Sequence, residues 1–227
     1  MRALDGSAAY CPPFTPMTEL LAPVEGEVFA IQRFSISEGK ARLQQVLDVR
    51  NYGRLEAGDY MRLVRLAEPV SERDGQRDVI MSDTPNERLW NREAVRRAHG
   101  HVLIAGLGIG MILPPILIKP EVKRVVIVEK ELEVIDLTWY NNLCTRLTPE
   151  QTAKVEIVWS DIFKWLPDRG IKFNVMWFDI WKSTTGNDYP AMKQLRRRFA
   201  RRIDSQDPKR WAACFRDYDV RRSYLGR

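Results

Sequence analysis

Cysteine and histidine are scarce in this 227-residue chain: three cysteines, Cys11, Cys144 and Cys214, without paired spacing, and two histidines, His99 and His101, far from all three. A disulfide framework and a structural zinc site with the usual ligand spacings are therefore excluded, and no metal is expected. Long apolar runs are missing too. The longest, Ile109 to Ile118, carries two prolines and ends at Lys119, well short of the roughly 20 residues that cross a bilayer, so no membrane span is expected. Met1 to Pro13 holds one arginine and none of the apolar stretch a secretory signal needs, which makes a cytoplasmic location the expectation. What the chain does have is 44% apolar and 29% charged residues, the balance of a globular protein with a buried core.

Its net charge of +6 is unevenly placed. Lys193 to Arg227 holds 12 Lys/Arg against 4 Asp/Glu, a net +8, so Met1 to Met192 carries −2. An anionic partner such as nucleic acid is to be sought only at the C-terminal helix, where Arg196, Arg197, Arg198, Arg201 and Arg202 crowd together. The same arginines also suit a solvated helix face.

The first 26 residues include Pro12, Pro13, Pro16 and Pro23, lack sustained periodicity, and are expected to wrap the surface as an arm. Glu27 to Ile36 reads as a strand, and Glu38 to Val49 as a helix with Ser37 as N-cap. Tyr60 to Leu66 and Asp78 to Met81 read as neighbouring strands around the polar Ser71 to Gln76. Thr84 with Glu87 has capping-box spacing and Pro85 falls at N1, which predicts a helix to about Ala98. After Gly100, apolar strands at His101–Ala105, Val125–Val128, Val155–Trp159 and Asn174–Phe178 alternate with helical stretches at Met111–Ile118, Leu132–Leu143, Ile162–Leu166 and Pro190–Ile203. That alternation predicts an α/β, doubly wound, mostly parallel sheet covered on both faces. Pro114 and Pro115 are tolerable only in a first helical turn. The division expected is an N-terminal arm with a small α+β extension (1–82), the sheet domain (83–203) and a basic tail (204–227). Asp204 to Arg227 shows no strand pattern, so the sheet is expected to be C-terminally truncated, and its open edge points to a homo-oligomer.

Ligands bind such sheets at the carboxyl ends of the strands. The first ends in Gly106-Leu107-Gly108-Ile109-Gly110, where absent side chains let a ligand lie on backbone; alone, this turn equally serves close helix packing. The second ends in Glu129, 19 residues after Gly110, followed by Lys130. A carboxylate there is placed to accept from both hydroxyls of a ribose. The third is followed by Ser160-Asp161-Ile162, with Asp161 suited either to an exocyclic adenine amine or to capping the next turn, and Ile162 N–H to a ring nitrogen. The fourth ends in Asp179-Ile180-Trp181, an acid at the reacting end. Met111 stands where a dinucleotide-binding GxGxxG needs its third glycine, which disfavours a dehydrogenase. Asp83 is open to a substrate contact as well as a capping role. Trp159, Trp165, Trp177 and Trp181 gather near the third and fourth strand ends, suited to stacking on a flat ligand or to core packing.

The run HVLIAGLGIG … VVIVE … VWSDIF … FNVMWFDIW, from about Met81 to Ile203, resembles the class I S-adenosylmethionine-dependent methyltransferases, closest in style to the spermidine-synthase-like branch and similar phage-encoded proteins. The resemblance implies a Rossmann-like domain with S-adenosyl-L-methionine as cofactor. Gly106, Leu107, Gly108 and Gly110 would line its methionine and ribose portion, Glu129 and Lys130 the ribose, and Asp161 and Ile162 the adenine. Asp179 would stand beside the sulfonium as the catalytic group, with a nitrogen or oxygen acceptor of unknown identity, in the cytoplasm of a host if phage-encoded. DIWK departs from the (D/N)PPY motif of amino-methylating DNA enzymes. It also departs from the paired-acid motif of aminopropyltransferases, unless Asp188 folds back as the second acid. Trp181, Asp83 and Asp188 are thus the substrate-side candidates. The alternatives are a spermidine-synthase-like aminopropyl transfer, or a non-catalytic assembly protein of the same fold docking nucleic acid through its basic tail.

Overall fold

The computed structural model describes residues 10–47, 55–66, 78–181 and 184–226, with only the backbone at 44–47. The N-terminal part contains α1 (Met17–Leu20), β1 (Val24–Glu25), β2 (Phe29–Ile36), α2 (Glu38–Leu47), β3 (Gly58–Arg65) and β4 (Asp78–Ser82). The four strands pair antiparallel in the order β1-β2-β3-β4. Ser37 caps α2 as its side chain predicts, accepting from Lys40 N at 3.3 Å. The β3–β4 pairing agrees with the expected neighbouring strands; the connection at Ser71–Gln76 lies outside the described residues.

The second part runs α3 (Pro85–Arg97), β5 (Gly100–Ala105), α4 (Leu113–Leu117), β6 (Val122–Glu129) and α5 (Leu132–Ile135). A wide π-wound stretch, Asp136–Leu143, continues α5 into α6 (Cys144–Arg146). Then come α7 (Pro149–Ala153), β7 (Val155–Trp159), β8 (Val175–Phe178), α8 (Tyr189–Phe199), β9 (Trp211–Cys214) and α9 (Asp217–Tyr224). The strands form one parallel sheet in the order β7-β6-β5-β8-β9, with central β5 paired to both β6 and β8. This is the Rossmann-like α/β arrangement, and its strand order reverses between β5 and β8, where a crevice opens at the carboxyl ends.

Alternate residues of each strand face alternate layers, which explains the nearly all-apolar strands. Val102, Ile104, Val125, Ile127, Val175 and Trp177 pack with Ala94 and Val95 of α3 and with Phe29, Ile31, Met61 and Leu63 of the N-terminal sheet. Leu103, Ala105, Val126, Val128, Met176 and Phe178 pack on Met192, Leu195 and Phe199 of α8. Each such large side chain contributes about 1.5–3 kcal/mol of burial.

The N-terminal sheet is fastened to this layer by two carboxylates. Glu133, on α5, accepts from the backbone N–H groups of Glu27, Val28 and Phe29, the last at 3.0 Å. A Cβ on Gly26 would stand 1.9 Å from that carboxylate, so a larger residue there would have to push Glu133 off its backbone donors. Asp83 is fully buried and accepts from Met17 N (2.9 Å), Met61 N (2.7 Å) and Arg88 Nη2 (2.9 Å). It ties the arm, β3 and α3 together.

Four expectations are corrected. Asp204–Arg227 does contribute a strand: β9 pairs with β8, and Trp211 stacks on Trp177 at 5.6 Å between ring centroids and 12°. Its four residues, two of them alanine, carry no alternation that sequence could register, and tertiary pairing decides the conformation. The sheet has five strands among the described residues, so it remains shorter than a seven-stranded one. Ile162–Leu166 forms a single turn, not a helix, with Lys164 N and Trp165 N both on Asp161 O at 2.8 Å. α8 ends at Phe199, and Ile203 instead makes an isolated bridge with Phe173. Finally, Thr84 occupies the N-cap of α3 without a side-chain cap bond; its hydroxyl meets Ser82 Oγ at 3.2 Å, and Glu87 turns elsewhere. Pro114 and Pro115 do fall in the first turn of α4. No helix among the described residues is long and apolar enough to cross a membrane.

Candidate active site

A cleft of about 1470 Å³ opens at the carboxyl ends of β5, β6, β7 and β8. Its floor begins with the glycine turn after β5. Gly106 has φ +91°, and a Cβ there would meet the Asp179 carbonyl oxygen at 2.1 Å. Gly108 has φ +52°, and its Cβ would fall 1.9 Å from Met81 Sδ. Both the left-handed backbone and the close approach demand glycine, so the turn lies flat between β8 and the N-terminal sheet. Ile109 N–H points to Met81 Sδ at 3.2 Å, and Thr138 Oγ1 donates to Gly108 O at 2.7 Å.

Glu129 is buried at the end of β6 and is already largely engaged. Its Oε2 accepts from Leu107 N at 2.8 Å, and its Oε1 from Lys130 N at 2.8 Å and Glu131 N at 3.0 Å. A carboxylate offers about four lone-pair sites. Three hold the glycine turn and the following loop in place, which leaves capacity for one further hydroxyl where the sequence pointed to two. At the end of β7, Asp161 Oδ1 accepts from Phe163 N at 2.8 Å, the capping role open to it, while its second oxygen has no hydrogen-bond partner among the described residues. Gly106, Leu107, Gly108, Gly110, Glu129, Lys130, Asp161, Ile162, Asp179 and Trp181 all line this one cleft.

Asp83 and Asp188 stand apart from it. Asp83 is the buried hub described above, so its structural role wins over substrate contact. Asp188 Oδ2 accepts from Thr185 N at 2.7 Å and from Thr185 Oγ1 at 3.1 Å, and it does not fold back over Asp179. Of the four tryptophans, only Trp181 lines the cleft. Trp165 stacks on Phe199, Trp177 on Trp211, and Trp159 is exposed with Nε1 donating to Lys130 O.

Met81, Glu87 and Asn91 are among the lining residues that carried no sequence signal for this role. Glu87 sits in the first turn of α3, where its capping-box spacing masked it. One turn on, the fully buried Asn91 donates to Glu87 O at 3.1 Å and accepts from Trp177 Nε1 at 3.2 Å, fixing α3 against β8. Burial pushes the Glu87 carboxyl up to about 7 against the opposing pull of Arg216. Burial, then the nearby Glu87 charge, pushes Asp179 up to about 8, with the Trp177 indole N–H acting the other way. Two carboxyl groups held above the usual carboxylate range therefore line the cleft. Among the described residues no cluster of three His, Cys, Asp or Glu groups could hold a metal ion.

Three of the five clustered arginines, two on α8 and one in the turn after it, are used by the protein itself. Arg196 pairs with Asp217, Arg198 Nη2 donates to Lys164 O and Trp165 O, and Arg202 Nη1 donates to Asp168 O.

No family model matches the chain, and no curated protein matches it. Solved structures with related folds include the CcbJ methyltransferase from Streptomyces caelestis, at 17% identity and TM-score 0.40 over 51% of this chain and 45% of that one. The glycopeptide N-methyltransferase MtfA complexed with S-adenosyl-L-methionine is 14% identical, with TM-score 0.36 over 46% and 43% of the two chains. The spermidine synthase from Thermotoga maritima is 17% identical, with TM-score 0.39 over 78% of this chain and 52% of that one. The chain spans about half the length of the solved structures it matches.

Proposed function

We propose that the chain is an S-adenosylmethionine-dependent methyltransferase acting on a nitrogen or oxygen acceptor. One observation carries this reading: the groups at the ends of four parallel strands, the glycine turn, Glu129, Asp161 and Asp179, converge on a single cleft large enough for a nucleoside-sized ligand and an acceptor together. The residues fit such a cofactor. The glycine turn has no room for side chains, Glu129 keeps one acceptor position for a ribose hydroxyl, and Asp161 keeps one oxygen for an adenine amine. When bound, such a cofactor would supply a methyl group activated on a sulfonium.

The chain's own part is orientation and proton handling. Asp179 is held in register by its N–H donating to Ala105 O at 2.8 Å, and its backbone is pressed on the glycine turn. In-line methyl transfer depends mainly on such positioning, with proton removal from the acceptor by a nearby base. The N-terminal sheet contributes Met81, Phe29 and Arg65 to the cleft wall, so acceptor choice rests partly with that extension. Docking of nucleic acid on α8 and the turn after it has less support, because three of the five arginines clustered there bind the protein's own carbonyl and carboxylate groups.

Calorimetric titration with S-adenosylmethionine and S-adenosylhomocysteine is the direct test. Saturable binding that weakens in Asp161→Ala and Gly108→Val supports the proposal. Absence of binding to folded protein overturns it.

A further inference from the structure

We propose that Met81 is a positioning residue for the glycine turn after β5: its thioether fixes one orientation of the Gly108–Ile109 peptide, so the N-terminal sheet sets how well the cleft receives its ligand. The consequence for cofactor affinity rests on the methyl-transfer reading; the clamp on the peptide does not.

Most of the turn is tied down from within the parallel-sheet part. Gly106 N–H donates to Val128 O at 2.9 Å, Leu107 N–H to Glu129 Oε2 at 2.8 Å, and Gly110 N–H to Leu107 O at 2.8 Å. Gly108 N–H has no acceptor among the described residues. The peptide unit that follows it is gripped at both ends. Its carbonyl, Gly108 O, accepts from the buried Thr138 hydroxyl at 2.7 Å, and its amide, Ile109 N–H, donates to Met81 Sδ at 3.2 Å. Thr138 stands on the π-wound stretch and Met81 on β4, so two distant segments hold one peptide between them. Ile109 is fully buried, and its amide is costly to leave without a partner.

Glycine cannot orient that peptide by itself. At φ +52°, Gly108 meets little steric resistance to rotation, so the adjoining peptide turns over readily unless its ends are held. A stiffer residue is barred, because its Cβ would lie 1.9 Å from Met81 Sδ. The stiffness must come from outside the turn, and the sulfur supplies it. An unbranched thioether fills the space over the glycine and still accepts a hydrogen bond.

Met81 is itself held in place. It pairs with Leu63 across β3 and β4, beside a register shift between Leu63 and Val64, the kind of irregularity that re-aims a side chain next to a site. Two residues on, Asp83 N–H donates to Met61 O at 3.1 Å, and the Asp83 carboxylate gathers Met17 N, Met61 N and Arg88. The line of contacts therefore runs from the Asp83 anchor through Met81 to the turn that lines the cleft.

Two variants separate the acceptor from the bulk. Met81→Leu keeps the apolar volume and removes the acceptor, whereas Met81→Gln gives up apolar character and restores one. Amide hydrogen exchange followed by NMR, without ligand, reads the clamp at Ile109. In Met81→Leu this amide is expected to exchange about tenfold faster, and S-adenosylmethionine to bind about tenfold more weakly in calorimetry, with Met81→Gln recovering most of both. A role in packing alone gives the reverse order, Leu close to wild type and Gln worse, and overturns the proposal. Unchanged Ile109 exchange in Met81→Leu, with the fold intact by circular dichroism, overturns it as well, and faster exchange with unmoved affinity overturns the positioning role. Should Met81→Leu fail to fold, Met81→Gln decides alone: an Ile109 amide protected as in wild type supports the clamp, and one exchanging about tenfold faster overturns it. Wild-type protein that protects Ile109 but binds no S-adenosylmethionine would instead count against the methyl-transfer reading and leave the clamp standing.

Discussion

Asp83 precedes α3, Asp179 follows β8, and the two have opposite fates. Asp83 is fully buried with two backbone N–H groups and the Arg88 guanidinium around it, whereas Asp179 lines the cleft, half-buried, with no backbone donor to its carboxyl among the described residues. A carboxylate supplied with donors is an anchor; one deprived of them is a store of reactivity, held there by the rest of the fold. The N-terminal sheet puts its polar contacts into attachment, whereas at the end of β8 the cleft gives the Asp179 carboxyl no backbone donor among the described residues.

The largest expected effect breaks the anchor. Asp83→Ala leaves Arg88 and two backbone N–H groups without their acceptor and should cost about 3–5 kcal/mol, read as a lowered denaturant midpoint. Next, Gly106→Ala forces a side chain into a left-handed position against the Asp179 carbonyl and should cost about 2 kcal/mol or more, with the cleft distorted. Thermal unfolding together with cofactor calorimetry would show both losses at once.

Asp179→Asn should move stability the other way. Folded protein keeps the Asp179 proton up to about pH 8, while the unfolded chain releases it near 3.8, so the folded state binds more protons in between and wild-type stability falls as pH rises through that window. The amide variant lacks this slope. It should be more stable than wild type by about 1–2 kcal/mol at the upper end, with the gap closing toward the lower end, as urea denaturation across the range would reveal. A wild type that gains stability relative to the variant over that interval would erase the contrast with Asp83.

The smallest effect sharpens the contrast at the other end of the sheet. Asp207 accepts from Asn174 Nδ2 at 2.8 Å and meets His99 Nε2 at 2.6 Å, while His99 Nδ1 meets Arg97 O at 2.7 Å. Burial alone would raise the Asp207 carboxyl, but the Asn174 and His99 bonds outweigh it and hold it below the ordinary carboxylate value. Its contribution is therefore present above that value and lost as pH falls through the lowered one. Asp207→Asn should cost about 1 kcal/mol at neutral pH and nothing in strong acid, measured by thermal unfolding.

Much of this contrast was legible residue by residue. The apolar runs around Leu103, Val126 and Met176 announced strands buried on both faces, and the glycines and acids after them marked the cleft. Glu87 stayed hidden because a Glu three residues after Thr84 reads as a cap, and only the turning of Thr84 toward Ser82 frees it. Glu129 was located correctly but not its occupancy, since three backbone N–H groups from two loops meet it only after folding.

By itself, then, the sequence determined the parallel α/β core and the positions of Gly106, Gly108, Glu129, Asp161 and Asp179, because local periodicity and strand-end chemistry are short-range properties. Tertiary structure alone decided that Trp211–Cys214 joins the sheet, that Asp83 is an anchor, and that Glu87 joins Asp179 in lining the cleft. Those outcomes depend on which groups distant segments bring together, and burial then sets whether a carboxyl is neutralised by donors or left to hold its proton.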